Sequence, residues 1–336
     1  LNESRSNRHR RKRKRKKRIL FVFLALFLIV TGVAGYLVME AYQASRQSYE
    51  GLDRSGDKSD LRNEQVNIGE DPISLLLMGV ETYSSESGYG RADTQIIVTL
   101  DPTTKEITMT TLPRDTRVEI PASKIGEEYG GYSKLNASYT YGEITDYGAN
   151  KLAVETVEGL LQVPIDKYVT VNFEGFVDVV DAIGGVTVTI KEPFWEKNIF
   201  NNNERIYFEE GETKLNGEEA LAFVRMRKRD VNSIYSREER QQQFVKAALQ
   251  EVISAKTLFK ANEISSILGS EIATNLKPQE IFAIQQSFSS ISSQEIESFE
   301  LEGSNQYIGN TAYFIPSETG LANLRQQLQS KLDIEP

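Results

Sequence analysis

Cysteine is absent from the 336 residues, and histidine occurs once, at His9. The first absence excludes disulfides, thiol nucleophiles and every cysteine-containing metal site. The second leaves no imidazole beyond the N-terminal stretch, which removes Ser-His-Asp triads, histidine general bases and His-ligated zinc. Chemistry must then come from carboxylates, arginine, lysine, hydroxyls and a hard cation bound through oxygen. A hydrophobic content of 39% is enough for a core, so a chain disordered throughout is excluded.

Charge is unevenly divided. Residues 1–18 carry eleven Lys/Arg against Glu3, a charge of +10, and the remaining 28 basic and 47 acidic side chains give −19 from residue 19 onward. Arg10–Arg18 is unbroken basic sequence, followed by 21 uncharged residues from Ile19 to Met39. At helical rise that run spans roughly 30 Å of hydrocarbon. The positive flank predicts a cytoplasmic N-terminus and an extracytoplasmic C-terminal domain. A cleaved signal peptide is the competing reading, because Val33-Ala34-Gly35 supplies small residues, but the apolar run continues to Met39. A basic run abutting such a span reads as topogenic, so no nucleic-acid partner is expected. Residues 40–70, polar and charge-mixed, read as a flexible spacer.

Beyond the spacer, hydrophobic periodicity alternates between strand and helix. Ile73–Val80 predicts a strand buried on both faces, and Thr94–Leu100 with Glu106–Leu112 a hairpin around Asp101-Pro102. Ala149–Leu161 predicts a helix, Tyr168–Phe173 a strand, Glu174–Ile183 a helix closed by Gly184-Gly185, and Val186–Ile190 a strand. Helices are expected over Arg237–Ala255, Pro278–Ser287 and Thr319–Leu332. The pattern predicts an α/β fold: a mixed central sheet flanked by helices in an α/β/α sandwich, after a single transmembrane helix.

Four constellations carry possible chemistry. Glu81 and Asp93 sit at predicted strand ends, where two carboxylates suit a hard divalent cation or make an ordinary acidic loop. Arg91 lies between them, and Arg114 and Arg117 follow in Leu112–Arg117. Arg225 and Arg227, two apart, share one face if the backbone is extended. Arg237 and Gln241 fall on the buried stripe of the helix that Phe244, Val245, Ala248 and Leu249 define. Arginines gathered at element ends in an acidic chain suggest an anionic ligand, and phosphoryl chemistry needs no histidine.

The ordered motifs ISLLLMGVET, GRADTQIIVTLDP, TLPRDTRVEIP, KLNASYTYGE, VTVNFEGFVDVVDAIGGVTVTI, LNGEEALAFVRMRKRD and REERQQQF resemble the LytR-CpsA-Psr family across roughly Asp71–Ala255. The resemblance implies a catalytic-type domain over 71–255, with 256–336 a helical continuation closed by a Phe299–Leu301 strand. It implies a phosphotransferase that moves a polyprenyl-pyrophosphate-linked glycan, of teichoic acid or capsular type, to a peptidoglycan acceptor. By position it marks Asp93, with Glu81, as ligands of Mg2+ or Mn2+. Arg114, Arg225, Arg227, Arg237 and Gln241 become catalytic and Arg117 and Lys134 substrate-binding, a role that the gathering of arginines extends to Arg91. It further implies a tunnel for the lipid tail, for which Val169, Val171, Phe173, Phe176, Val177 and Val180 are candidates beside a plain core role. Two departures stand out: Glu81 replaces the usual aspartate, and Ile234-Tyr235-Ser236-Arg237 replaces an Asp-aromatic-Gly-Arg stretch. The alternative functions are a non-catalytic polyprenyl-phosphate-glycan binder or envelope sensor, and a transcriptional attenuator.

Overall fold

The computed structural model describes residues 48–81, 88–227, 231, 235–253, 271–288 and 296–334. The basic tail, the 19–39 span, Thr82, Tyr83, Ile234 and all of 254–270 lie outside the described residues. No helix among the described residues is long and apolar enough to cross a membrane.

The uninterrupted apolar run forms β1 (Ile73–Glu81), near the centre of a six-stranded sheet. It pairs antiparallel with β2 (Arg91–Leu100), which continues as a hairpin into β3 (Ile107–Thr111). On its other side runs β6 (Lys167–Val171), parallel. The edges are β11 (Ile272–Thr274), antiparallel to β6, and β12 (Ile296–Glu300), parallel to β3. Outside this sheet, β4 (Arg117–Ile120) pairs antiparallel with β5 (Gly131–Lys134).

Strand alternation sends Leu76, Met78 and Val80 to one face. There they share a core with Leu152, Val157 and Leu161 of the Ala149–Leu161 helix and with Leu324 and Leu328 of the Glu318–Lys331 helix. Ile73, Leu75, Ile96 and Val98 face the other way, onto Phe288 of the Pro278–Phe288 helix and onto Val245 and Leu249 of the Arg237–Ile253 helix. The result is a mixed sheet covered on both faces. In chain order the longer helices among the described residues are α1 (Ala137–Ile144), α2 (Ala149–Leu161), α3 (Phe173–Ala182), α4 (Gly217–Arg225), α5 (Arg237–Ile253), α6 (Pro278–Phe288) and α7 (Glu318–Lys331).

A second core builds the wall beside the site. The ribbon of β7 (Val186–Ile190) with β10 (Gly211–Leu215), and the hairpin of β8 (Phe194–Lys197) with β9 (Arg205–Phe208), pack with α3 and α4 around Phe194, Phe208 and Phe223.

Three expectations need correction. Residues 48–70 are no free spacer. Arg54 pairs with Glu158 at 2.6 Å, Ser59 donates to the same carboxylate, and Arg62 binds Asp166 through both oxygens at 3.1 and 2.8 Å, with Leu52 only 3% exposed. The charge mixture that read as solvated supplies partners to two buried carboxylates, which are too costly to leave unpaired. Segment 223–225 is helical, and only beyond it does Met226 take extended angles. Asn216 accepts from the Glu219 amide while Glu219 accepts from the Asn216 amide, a capping box that starts α4 and carries it to Arg225. Residues 256–336 are more than helical: after the strand Ile296–Glu300, the chain forms an antiparallel hairpin of β13 (Gly303–Ile308) and β14 (Thr311–Pro316).

Candidate functional site

The pairing of β1 with β2 slips by one residue near the carboxyl end of β1. Gly79 faces Thr94 and Val80 faces Ala92, so Asp93 is the extra residue of a bulge. A bulge takes a side chain out of the pleat alternation and re-aims it. The Asp93 carboxylate, 9% exposed, accepts from Asn136 Nδ2 at 2.9 Å, from Arg114 Nη1, and from Arg227 Nη2 at 3.1 Å. Each donor comes from a different element: Asn136 from the start of α1, Arg114 from the turn after β3, and Arg227 from the chain leaving α4. The Asn136 backbone N–H also donates to the Arg114 carbonyl at 3.0 Å, tying the first two together. Burial pushes Asp93 up, but Arg114, the Asn136 amide, Arg227 and Arg237 outweigh it and hold the carboxyl below its usual range.

Arg225, Arg227 and Arg237 line one cavity of about 400 Å³ with Glu81, Glu196, Lys197, Ile199 and Asn203. The α4 cap separates Arg225 from Arg227: Arg225 is the last helical residue, and Met226 turns out at φ −53°, ψ 128°. The Arg225 guanidinium carbon lies 4.7 Å from the centre of the Phe173 ring. Arg237 opens α5, so the positive end of the helix dipole adds to its charge. Its Nε donates to the Val224 carbonyl at 3.3 Å. Burial, reinforced by Arg227 and Arg114, pulls Arg237 down to about 10 against the opposing pull of Asp93. One turn on, Gln241 Nε2 donates to Thr94 Oγ1 at 3.2 Å, anchoring α5 beside the bulge.

The other residues singled out from sequence lie on the flank. Lys134 pairs with Asp115 at 2.9 Å, and Asp115 lies 3.8 Å from Arg114 Nε. These contacts, about a third exposed, orient more than they stabilise. Arg117 stacks on Tyr132 at 3.6 Å, and Arg91 is exposed and does not line the cavity. Val180, a candidate for the lipid tunnel, is 2% exposed and belongs to the second core.

Two residues that build the site are not among the sequence candidates. Asn136 lies inside KLNASYTYGE with no periodicity to mark it. Arg240, fully buried, donates to the carbonyls of Phe223 at 3.0 Å, Met226 and Tyr235. It staples the end of α4 to the start of α5 and so fixes the spacing of Arg225, Arg227 and Arg237. Its signal was present: Arg240 lies four residues before Phe244, on the same buried stripe.

Among the described residues no three His, Asp or Glu side chains gather as a metal cluster. Both Asp93 oxygens already accept protein hydrogen bonds, and Glu81 is the carboxylate lining the arginine cavity from β1. With so few donors, a hard cation held there would have to complete its shell with phosphate and water.

The LytR_cpsA_psr family model matches residues 35–330. The chain is 42% identical over 311 residues to the polyisoprenyl-teichoic acid–peptidoglycan teichoic acid transferase TagV of Bacillus subtilis (strain 168), covering 92% of this chain and 77% of that protein. The crystal structure of B. subtilis TagV superposes with a TM-score of 0.68 at 41% identity, covering 80% of this chain and 99% of that one. The structure of the LytR-CPS2A-psr family protein YwtF (TagT) with bound octaprenyl pyrophosphate lipid gives a TM-score of 0.64 at 26% identity, covering 85% and 100%. With the motifs in order, the bulged aspartate ringed by arginines and these matches along most of its length, the chain belongs to the LytR-CpsA-Psr family.

Proposed function

We propose that this chain is a glycopolymer–peptidoglycan phosphotransferase, taking a teichoic-acid-type glycan from a polyprenyl pyrophosphate to a peptidoglycan hydroxyl. The observation that carries the reading is the convergence of Arg225, Arg227 and Arg237 on one cavity, with Arg114 and Arg227 held by the Asp93 carboxylate. Crowded guanidinium groups repel one another until an anion joins them, and a pyrophosphate presents the oxygens their N–H forks match. The named activity of TagV and the octaprenyl pyrophosphate bound to TagT support the same ligand class.

In this scheme the acceptor oxygen bonds to the glycan-proximal phosphorus, the bond to the bridging oxygen breaks, and polyprenyl phosphate leaves. Arg114 and Arg227 neutralise charge that grows on the phosphoryl oxygens, and Arg225 and Arg237 hold the leaving phosphate. Arg225 beside Phe173 marks where an apolar path past Val169, Val171, Phe176 and Val177 would take the lipid. Asp93, held below the carboxylate range and bonded to three donors, is a poor base. Asp115, 35% exposed, is the better candidate for the acceptor proton. Mg2+ or Mn2+ held by Asp93 and Glu81 would supply further charge neutralisation when bound. Residues 19–39 serve as a single membrane anchor with the basic tail cytoplasmic and the domain outside, a reading supported by the uncharged run and its flank.

The test is direct. The purified full chain, in detergent with lipid-linked glycan, Mg2+ and peptidoglycan fragments, should release polyprenyl phosphate and label the peptidoglycan. Lipid binding with neither product would select the non-catalytic binder instead.

A further inference from the structure

The β8–β9 hairpin has two different faces. Phe194 and Phe208 stack at 4.6 Å and point into the second core. Alternation places the cross-strand pairs Trp195 with Tyr207, and Lys197 with Arg205, on the opposite face. Arg205 lies 4.1 Å from the Trp195 ring centre, and Tyr207 is 63% exposed. Glu196 takes the inner side by the same alternation, and its Oε1 accepts from the Lys197 amide at 2.8 Å. The end of the hairpin opens onto the site: Lys197 of the outer face and Glu196 of the inner one, with Ile199 and Asn203 from the connecting turn, line the arginine cavity.

Aromatic rings beside a lysine and a stacked arginine suit a polymer that alternates sugar rings with phosphodiesters. Rings receive the apolar faces of sugars, and a stacked guanidinium keeps its N–H fork for phosphate. The position favours the donor, because the face begins where the pyrophosphate is proposed to sit. Resting on that proposed function, we infer that the outer face of β8–β9 binds the first sugar-phosphate units of the donor glycan, with sugars on Trp195 and Tyr207 and phosphodiesters on Arg205 and Lys197.

Trp195 is the only tryptophan in the chain and reports on this face directly. The full chain in detergent is titrated with polyprenyl pyrophosphate alone and with the same lipid bearing an oligomeric sugar phosphate. Only the glycan-bearing lipid should shift Trp195 emission. Tyr207→Ala and Arg205→Ala should each weaken that lipid roughly tenfold and leave the bare lipid's affinity unchanged, which also shows that the variants are folded. Equal effects on both lipids, no effect on either, or the same emission change with the bare lipid would overturn the hairpin assignment while leaving the cavity assignment standing. Failure of the unaltered protein to bind either lipid would instead remove the proposed function, and the hairpin assignment with it.

Discussion

Replacing Arg237 with methionine should lower glycan transfer by about 10²–10³-fold, the usual cost of one transition-state charge donor, while raising the stability of the free protein. Burial and the neighbouring Arg227 and Arg114 bring the folded-state value of Arg237 to about 10, below its ordinary value. A base depressed in this direction subtracts stability while it is charged, and the cost fades as pH rises through about 10. Methionine keeps much of the packing and removes the crowded charge. A gain of about 1 kcal/mol is reasonable for exchanging a half-buried, crowded ion for an apolar side chain, or about 2–4 °C in the melting temperature. Thermal unfolding and a transfer assay on the same preparation decide it. Lost transfer with a lower melting temperature would mean that Arg237 is a structural cation.

Asp93→Asn should cost transfer as severely and destabilise the fold as well. The substituted amide can still accept from Asn136, but its nitrogen must then face Arg114 and Arg227, setting donor against donors. Removing the carboxylate also leaves clustered guanidinium charge uncompensated, which costs about 2–4 kcal/mol for a partly buried group. The pH dependence follows from the lowered value of Asp93. Its contribution is complete above the ordinary carboxylate range, near about pH 4, and is lost as pH falls through the lower folded value. Urea unfolding from pH 7 downward should therefore show a smaller acid loss in Asp93→Asn than in the unaltered chain. Matching acid limbs would remove Asp93 from the electrostatic centre.

How far the sequence reached depended on period and length. β1, the β2–β3 hairpin, α2, β6 and α3 are legible because each has a clean repeat and a chemical stop such as Asp101-Pro102 or Gly184-Gly185. β8 and β9 are four residues each, too short to repeat, and Glu196 and Lys197 hide the first in polar sequence. The 48–70 segment misled because its partners, Glu158 and Asp166, lie about a hundred residues away. At the site, residue types gave the anionic ligand and the resemblance gave the positions. The bulge at Asp93 was not readable, since a one-residue slip depends on both strands at once. The end of α4 reads as a strand because Arg225, Met226 and Arg227 alternate, although the capping box at Asn216 and Glu219 signals a helix.

The central claim is that these guanidinium groups form one binding site for a lipid pyrophosphate. Titrating the full chain in detergent with polyprenyl pyrophosphate, before and after the paired change Arg225→Ala and Arg227→Ala, tests it most directly. Charge-assisted phosphate contacts of this kind predict a loss of affinity of about 10²-fold or more. Unchanged affinity in the paired variant would contradict the account.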